Sequence, residues 1–111
     1  MKVIEMTKTE SIQIAHEYSM TLRNRIGDNL LKTILFGSRA RKDHEEYSDF
    51  DFLLIVKNRD SKIRDQVVDA EIEMLNKYDF LFSSLIYESH EWEKEQRYPF
   101  GWNVLRDGIE V

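Results

Sequence analysis

Residues 37–56 read GSRARKDHEEYSDFDFLLIV, and this stretch decides both the fold and the site. Gly37-Ser38 follows the apolar Leu35-Phe36, and ten residues later Asp49-Phe50-Asp51 leads into the apolar run Phe52 to Val56. Strand side chains alternate with period two, so Asp49 and Asp51 project from the same face of a sheet. Like charges that close repel, and a bound divalent cation is the least costly way to keep both ionised. A Gly-Ser turn presents backbone N–H groups and a hydroxyl to a phosphate without a Cβ in the way. The stretch predicts two strands, a phosphate-binding turn after the first, and a metal site at the head of the second.

The flanking sequence supplies the remaining elements. Thr7-Lys8-Thr9-Glu10 fits a capping box, and Ile12, Ile14, Ala15, Tyr18, Leu22 and Ile26 follow at roughly helical spacing until Gly27-Asp28. Leu30 to Phe36 is β-rich and forms the first strand. Ser38 to about His44 is a turn or short helix, and Asp49 to Val56 is the second strand, apolar on both faces beyond the carboxylates as a central strand is. Asp60 or Ser61 caps a helix carrying Ile63, Val67, Val68, Ala70, Ile72 and Leu75 to about Lys77. Phe80 to Tyr87 is a third strand, Ser89 caps a short helix to Glu95, Pro99 to Leu105 forms another, and Arg106-Asp107-Gly108 turns the chain before Ile109. The order predicts an α/β (α+β) fold: a small mixed β-sheet with helices packed on one side and the other partly open to a ligand or partner.

Bulk properties narrow the function. A chain of 111 residues, 41% hydrophobic and 33% charged, is read as a single globular, soluble domain over 1–111 with one modest core. No apolar run approaches the ~20 residues that span a bilayer, and MKVIEMTKTE has no signal-peptide core, so a cytoplasmic location and no membrane partner are expected. Cysteine is absent, which excludes disulfides and thiolate metal sites. The net charge of −5 argues against general nucleic-acid binding. Basic residues do gather beside the site as Arg39, Arg41 and Lys42, while Asp43 to Glu46 and Glu88 to Glu95 read as solvated acidic faces.

The site's chemistry points to nucleotidyl transfer. Mg²⁺ takes hard oxygen ligands and bridges a triphosphate, and two such ions ~3.5–4 Å apart clamp the attacking and leaving oxygens of an in-line displacement. Arg39 and Arg41 offer planar donors to the phosphates. His16, His44 and His90 have no ligand spacing and read as structural or exposed. Tyr78, Phe80, Phe82 and Tyr87 read as sheet core, and Trp92, Tyr98, Phe100 and Trp102 as an aromatic tail packed over the sheet.

The Gly-Ser, ten residues, Asp-x-Asp pattern set between two strands resembles the signature of the polymerase-beta-like nucleotidyltransferase superfamily. At this length the chain looks like a minimal nucleotidyltransferase (MNT), a resemblance covering roughly residues 10 to 90. It implies that Gly37 and Ser38 bind a nucleotide triphosphate and that Asp49 and Asp51 are catalytic and hold Mg²⁺, two ions, with ATP as substrate. Active members of the superfamily carry a third acidic residue on the next strand, often a general base. Asp79 is the candidate here, as catalytic residue and metal ligand. The mid-strand positions where the acid is expected hold Leu81 and Ser83, which share its face by parity.

Members of this kind commonly occur beside a helical HEPN-domain toxin. The resemblance implies transfer of AMP to a toxin tyrosine, an antitoxin function, with assembly as a homo- or hetero-oligomer open. A small-molecule nucleotidyltransferase of the aminoglycoside type is the enzymatic alternative. A module that neutralises a partner by contact alone is the non-enzymatic one.

Overall fold

The computed structural model describes residues 7–41 and 48–111. In chain order these form α1 (Lys8–Ile26), β1 (Leu30–Phe36), β2 (Phe50–Val56), α2 (Ser61–Tyr78), β3 (Phe82–Glu88), α3 (Ser89–Glu95), α4 (Pro99–Asp107) and β4 (Ile109–Glu110). Two 3-10 turns, Gly27–Asn29 and Gly37–Arg39, flank β1.

Local chemistry sets the element ends. At α1 the Thr7 hydroxyl accepts the Glu10 N–H at 3.1 Å and the Glu10 carboxylate accepts the Thr7 N–H at 3.0 Å, so two orphan donors are satisfied reciprocally. Asp60 caps α2 through the Ile63 N–H at 2.9 Å. Glu88, rather than Ser89, caps α3, with Glu91 completing the capping box.

The sheet order is β3-β2-β1-β4. β1 runs antiparallel to β2 and to β4, whereas β2 and β3 are parallel. A parallel pair needs a long crossover, which α2 supplies. The register places Phe36 opposite Asp51 and Asp51 opposite Ser83, so the site-bearing end of β2 is flanked by the end of β1 and the start of β3.

β2 separates two cores. Phe50, Phe52, Leu54 and Val56 pack with Tyr18, Leu22, Val67, Ala70 and Met74 of the long helices and with Phe82. The Phe50 and Phe82 rings stack at 4.8 Å between centroids. On the opposite face Leu53 and Ile55 join Trp92 of α3 and Val104 of α4. The long helices thus lie on one side, as expected. The two short helices cover part of the other, leaving Ser83 exposed and Asp51 half-buried at its far end. The Tyr18 and Ser84 hydroxyls bond at 2.7 Å, and toward the surface Glu17 accepts from Lys77 and Tyr78, joining α1 to the end of α2.

Several boundaries differ from the sequence reading, among them the last helix, which runs on through Arg106 and Asp107 where a turn was expected. β2 starts at Phe50, with Asp49 just ahead of it. β3 starts at Phe82 rather than Phe80, because Asp79 adopts a left-handed conformation (φ 60°) as the C-cap of α2, its N–H donating to Leu75 O at 2.8 Å. Ile109–Glu110, to which the sequence reading gave no element, is a short strand at the β1 edge. No helix among the described residues is long and apolar enough to cross a membrane.

Candidate active site

The first half of the site is the turn after β1. Gly37 has φ +73°, a conformation that costs an L side chain of order 1–3 kcal/mol, and its carbonyl accepts the Ala40 and Arg41 N–H groups at 3.1 and 3.2 Å. The β1–β2 register then brings this turn against the carboxylates. A Cβ on Gly37 would lie only 2.7 Å from Asp51 Oδ2. Residues fourteen positions apart in sequence are therefore in contact, with glycine the only residue that admits the approach.

The second half is the carboxylate pair. Asp49 is exposed and Asp51 half-buried. The Asp51 carboxyl is pushed above its ordinary range, first by loss of solvent and then by the charge of Asp49. A divalent cation would relieve both penalties, and the two carboxylates are the hard oxygen donors that Mg²⁺ takes.

Ser83 is level with Asp51 on the adjacent strand, at the position where a third acid would flank it. Among the described residues no group of three or more His, Cys, Asp or Glu could hold a metal ion. Asp79, the expected third carboxylate, is exposed at the C-cap of α2. It is not a strand residue, so the parity argument that put it on the face of Ser83 does not reach it. It lies at the same end of the sheet as Asp49, since β2 and β3 run parallel.

Arg39 takes an unexpected role. Its side chain has no exposed surface. Nε and Nη2 donate to the Ser48 carbonyl at 3.0 and 2.9 Å, and Nη1 donates to the Ser11 hydroxyl of α1 at 3.3 Å. The guanidinium lies 4.7 and 4.8 Å from the centroids of Phe50 and Phe80. Instead of reaching out to a phosphate, it fastens the Gly-Ser turn to the backbone just before Asp49. Burial lowers its pKa, and the charge of Asp49 opposes that shift.

Arg39→Met, which keeps the bulk, is expected to cost roughly 2–4 kcal/mol in urea unfolding. It removes charge-assisted hydrogen bonds worth ~1.5–3 kcal/mol and a cation–π contact worth ~0.5–2 kcal/mol. A loss below about 0.5 kcal/mol, the usual scatter for surface changes, would show that the turn holds without it.

Arg41 is exposed and lines a cavity of about 220 Å³ together with Phe36, Gly37, Phe100, Asn103, Val104 and Asp107. Spacing within α4 explains how the helix reaches it: residues 100, 103, 104 and 107 share one helical face. Sequence reading had assigned Phe100 to packing, which it does edge-on to Phe36 at 5.4 Å, and had not singled out Asn103. Trp92 is buried, but Tyr98 and Trp102 of the same aromatic group are exposed. His16 and His90 are exposed. Lys42, the Asp43 to Glu46 run and His44 lie outside the described residues.

Comparison with known proteins bears on the family and the fold. Residues 20–105 match the nucleotidyltransferase domain family. A Methanocaldococcus jannaschii protein, named as a protein adenylyltransferase, is 36% identical over 103 residues, spanning 92% of this chain and 99% of its own length. Among solved structures, the complex of the tri-AMPylated Shewanella oneidensis HEPN toxin with its MNT antitoxin aligns with a TM-score of 0.53 at 17% identity, covering 90% of this chain and 70% of the matched one. A toxin–antitoxin structure with AMP-PNP gives a TM-score of 0.54 at 18% identity, covering 95% and 72%. At such identities these structures share the fold.

Proposed function

The chain belongs to the nucleotidyltransferase domain family, and from that premise we propose that it transfers AMP from ATP to a tyrosine hydroxyl of a partner protein, a HEPN-type toxin that it thereby silences. The observation that carries the reading is the contact between Gly37 and Asp51, which brings the Gly-Ser turn against one of the two carboxylates. Support for a protein acceptor comes from the name of the archaeal relative and from the AMPylated toxin bound to the Shewanella antitoxin.

In this reading Gly37, Ser38 and Arg41 hold the triphosphate, while Asp49 and Asp51 hold Mg²⁺. Bound Mg²⁺ supplies Lewis-acid stabilisation of the charge that develops on the phosphate oxygens. Arg39 acts through the backbone it fastens, as a positioning residue. The acceptor oxygen forms a bond to the α-phosphorus, the bond from that phosphorus to the bridging oxygen breaks, and pyrophosphate leaves. The hydroxyl proton goes to solvent, because the position beside Asp51 carries Ser83 and not a base. That favours an acceptor acidic in its own right, such as a phenol with pKa near 10, over an aliphatic hydroxyl.

Ser83→Asp is accordingly expected to raise the transfer rate at least tenfold at neutral pH, a part of the ~10²–10⁴ that an ideally positioned base contributes. An unchanged or lower rate, measured with the protein folded, would contradict the assignment of the proton. The function itself is tested by incubating the chain with Mg²⁺, ATP and a HEPN-type toxin, then analysing the toxin by mass spectrometry. One or more AMP adducts on tyrosine are expected, absent with Asp49→Asn; an unmodified partner overturns the reading.

Ser83 in place of a third acid also favours one other reading, neutralisation by contact without transfer. Asp51→Asn separates the two. It should fail to silence the toxin if AMP transfer is the mechanism, and should silence it fully if contact suffices.

A further inference from the structure

The aromatic segment after α3 has a part that the fold does not use. Tyr98, Trp102 and Leu105 stand 59, 58 and 58% exposed, and their spacing puts them on one side of α4. That side is opposite to Phe100, Asn103, Val104 and Asp107, which face the Gly37 turn. Large apolar side chains grouped on a surface and rimmed by charge mark a contact site, and Trp and Tyr are common anchors of such contacts.

Beside this ridge lies a hollow of about 550 Å³, with Tyr98 in its wall and Tyr87, His90, Glu91, Lys94, Glu95 and Arg97 around it. It is at the far end of the sheet from the carboxylates: Tyr87 is level with Ile55, ~13 Å along β2 from Asp51. Gly101 fixes ridge and hollow relative to one another. A Cβ there would stand 2.1 Å from the Glu95 carbonyl oxygen, so α4 lies directly against the end of α3.

We propose that this face joins two copies of the chain about a twofold axis, with Trp102 of each copy seated in the hollow of the other. A twofold contact needs a surface complementary to itself, and a ridge beside a hollow, sharing Tyr98, is such a surface. The charges agree. Glu91 is held by Arg59 at 2.7 Å, which leaves Lys94 and Arg97 beside Glu95. A rim of both signs can pair with its own copy, whereas a rim of one sign selects an oppositely charged partner. Size agrees as well. Aromatic side chains bury ~150–250 Å² each when fully covered. Tyr98 and Trp102, each over half exposed, come with Leu105 and the rim of the hollow near the ~800 Å² a side of a stable interface. The contact leaves Gly37 and Asp51 uncovered, and it does not depend on the nucleotide-transfer reading.

Sedimentation equilibrium of the full chain from about 1 μM to about 1 mM, the range of weak to moderate association, tests it. The mass should rise with concentration from the 13.3 kDa of one chain toward twice that value. Trp102→Glu, at an exposed position, should keep the wild-type circular dichroism and stay at the single-chain mass. Lys94→Trp, which fills the hollow, should do the same alone. An equimolar mixture of the two variants should recover part of the dimer, because one ridge and one hollow are then intact. A wild type of single-chain mass throughout overturns the proposal, as does a Trp102→Glu variant that associates like wild type. A mixture that stays monomeric overturns the seating of Trp102 in the hollow. If the wild type is monomeric and Trp102→Glu instead weakens binding of a HEPN-type toxin, the face belongs to that partner and self-association is overturned.

Discussion

Asp51→Asn is expected to lower AMP transfer about a thousandfold or more while leaving the folded state at least as stable as the wild type. The activity loss follows from removing one of two ligands to a cation that contributes several kcal/mol of charge stabilisation, at about tenfold in rate per 1.4 kcal/mol. The stability gain follows from the sign of the Asp51 shift. Desolvation and the Asp49 charge raise its folded pKa, so the folded chain keeps that proton to higher pH than the unfolded chain. Stability is therefore greatest below the unfolded value and declines as pH rises through the raised folded value. Asparagine does not titrate and removes the decline. Thermal unfolding without metal should show the variant ahead at neutral pH, with the gap closing as pH falls toward 4. Added Mg²⁺ with ATP should then stabilise the wild type and leave the variant unmoved. A variant clearly less stable at neutral pH would mean that Asp51 is held by favourable contacts and is no cation ligand in waiting.

Gly37→Ala should be damaging in both stability and activity. The residue occupies φ +73°, which costs an alanine of order 1–3 kcal/mol. Its new methyl carbon would stand 2.7 Å from Asp51 Oδ2, well inside normal contact. Something must shift, and Asp51 is the nearer and softer partner. Displacing a reacting group by ~1 Å costs about a hundredfold, so kcat/KM should fall about a hundredfold and Tm by several degrees, at ~4–8 °C per kcal/mol for a chain of this size. Gly27→Ala is the internal control. It has a similar positive φ (58°) with nothing within 4 Å of the added carbon, so it should lose stability and retain activity. Equal activity losses in the two variants would show backbone strain, not the Asp51 approach, to be responsible.

Sequence periodicity carried much of the architecture because it coincided with strong local signals. Thr7 and Glu10 mark the start of α1 by a reciprocal cap, and the unbroken apolar run after Asp51 needs a strand covered on both faces, which Phe52 and Leu53 bear out by packing into different cores. Boundaries that hinge on one backbone conformation were illegible. Nothing in Lys77-Tyr78-Asp79-Phe80 announces that Asp79 turns left-handed and delays β3 by two residues. Contacts set by register were illegible too: the meeting of Gly37 with Asp51, and of Asp51 with Ser83, exists only once the strands are paired. Arg39 shows a third kind of loss. Composition places an arginine beside a phosphate turn, but only packing shows that Phe50, Phe80, Ser11 and the Ser48 carbonyl claim its side chain.

The central claim is that the group transferred is AMP, moved by the Gly37–Asp51 site onto a partner protein. The most direct measurement follows the label from ATP radiolabelled at either the α- or the γ-phosphate, with Mg²⁺ and a HEPN-type toxin as the proposed partner. Label from the α-position is predicted to remain on the partner and label from the γ-position to leave with pyrophosphate. γ-Label on the partner, or no label from either position, would contradict the account.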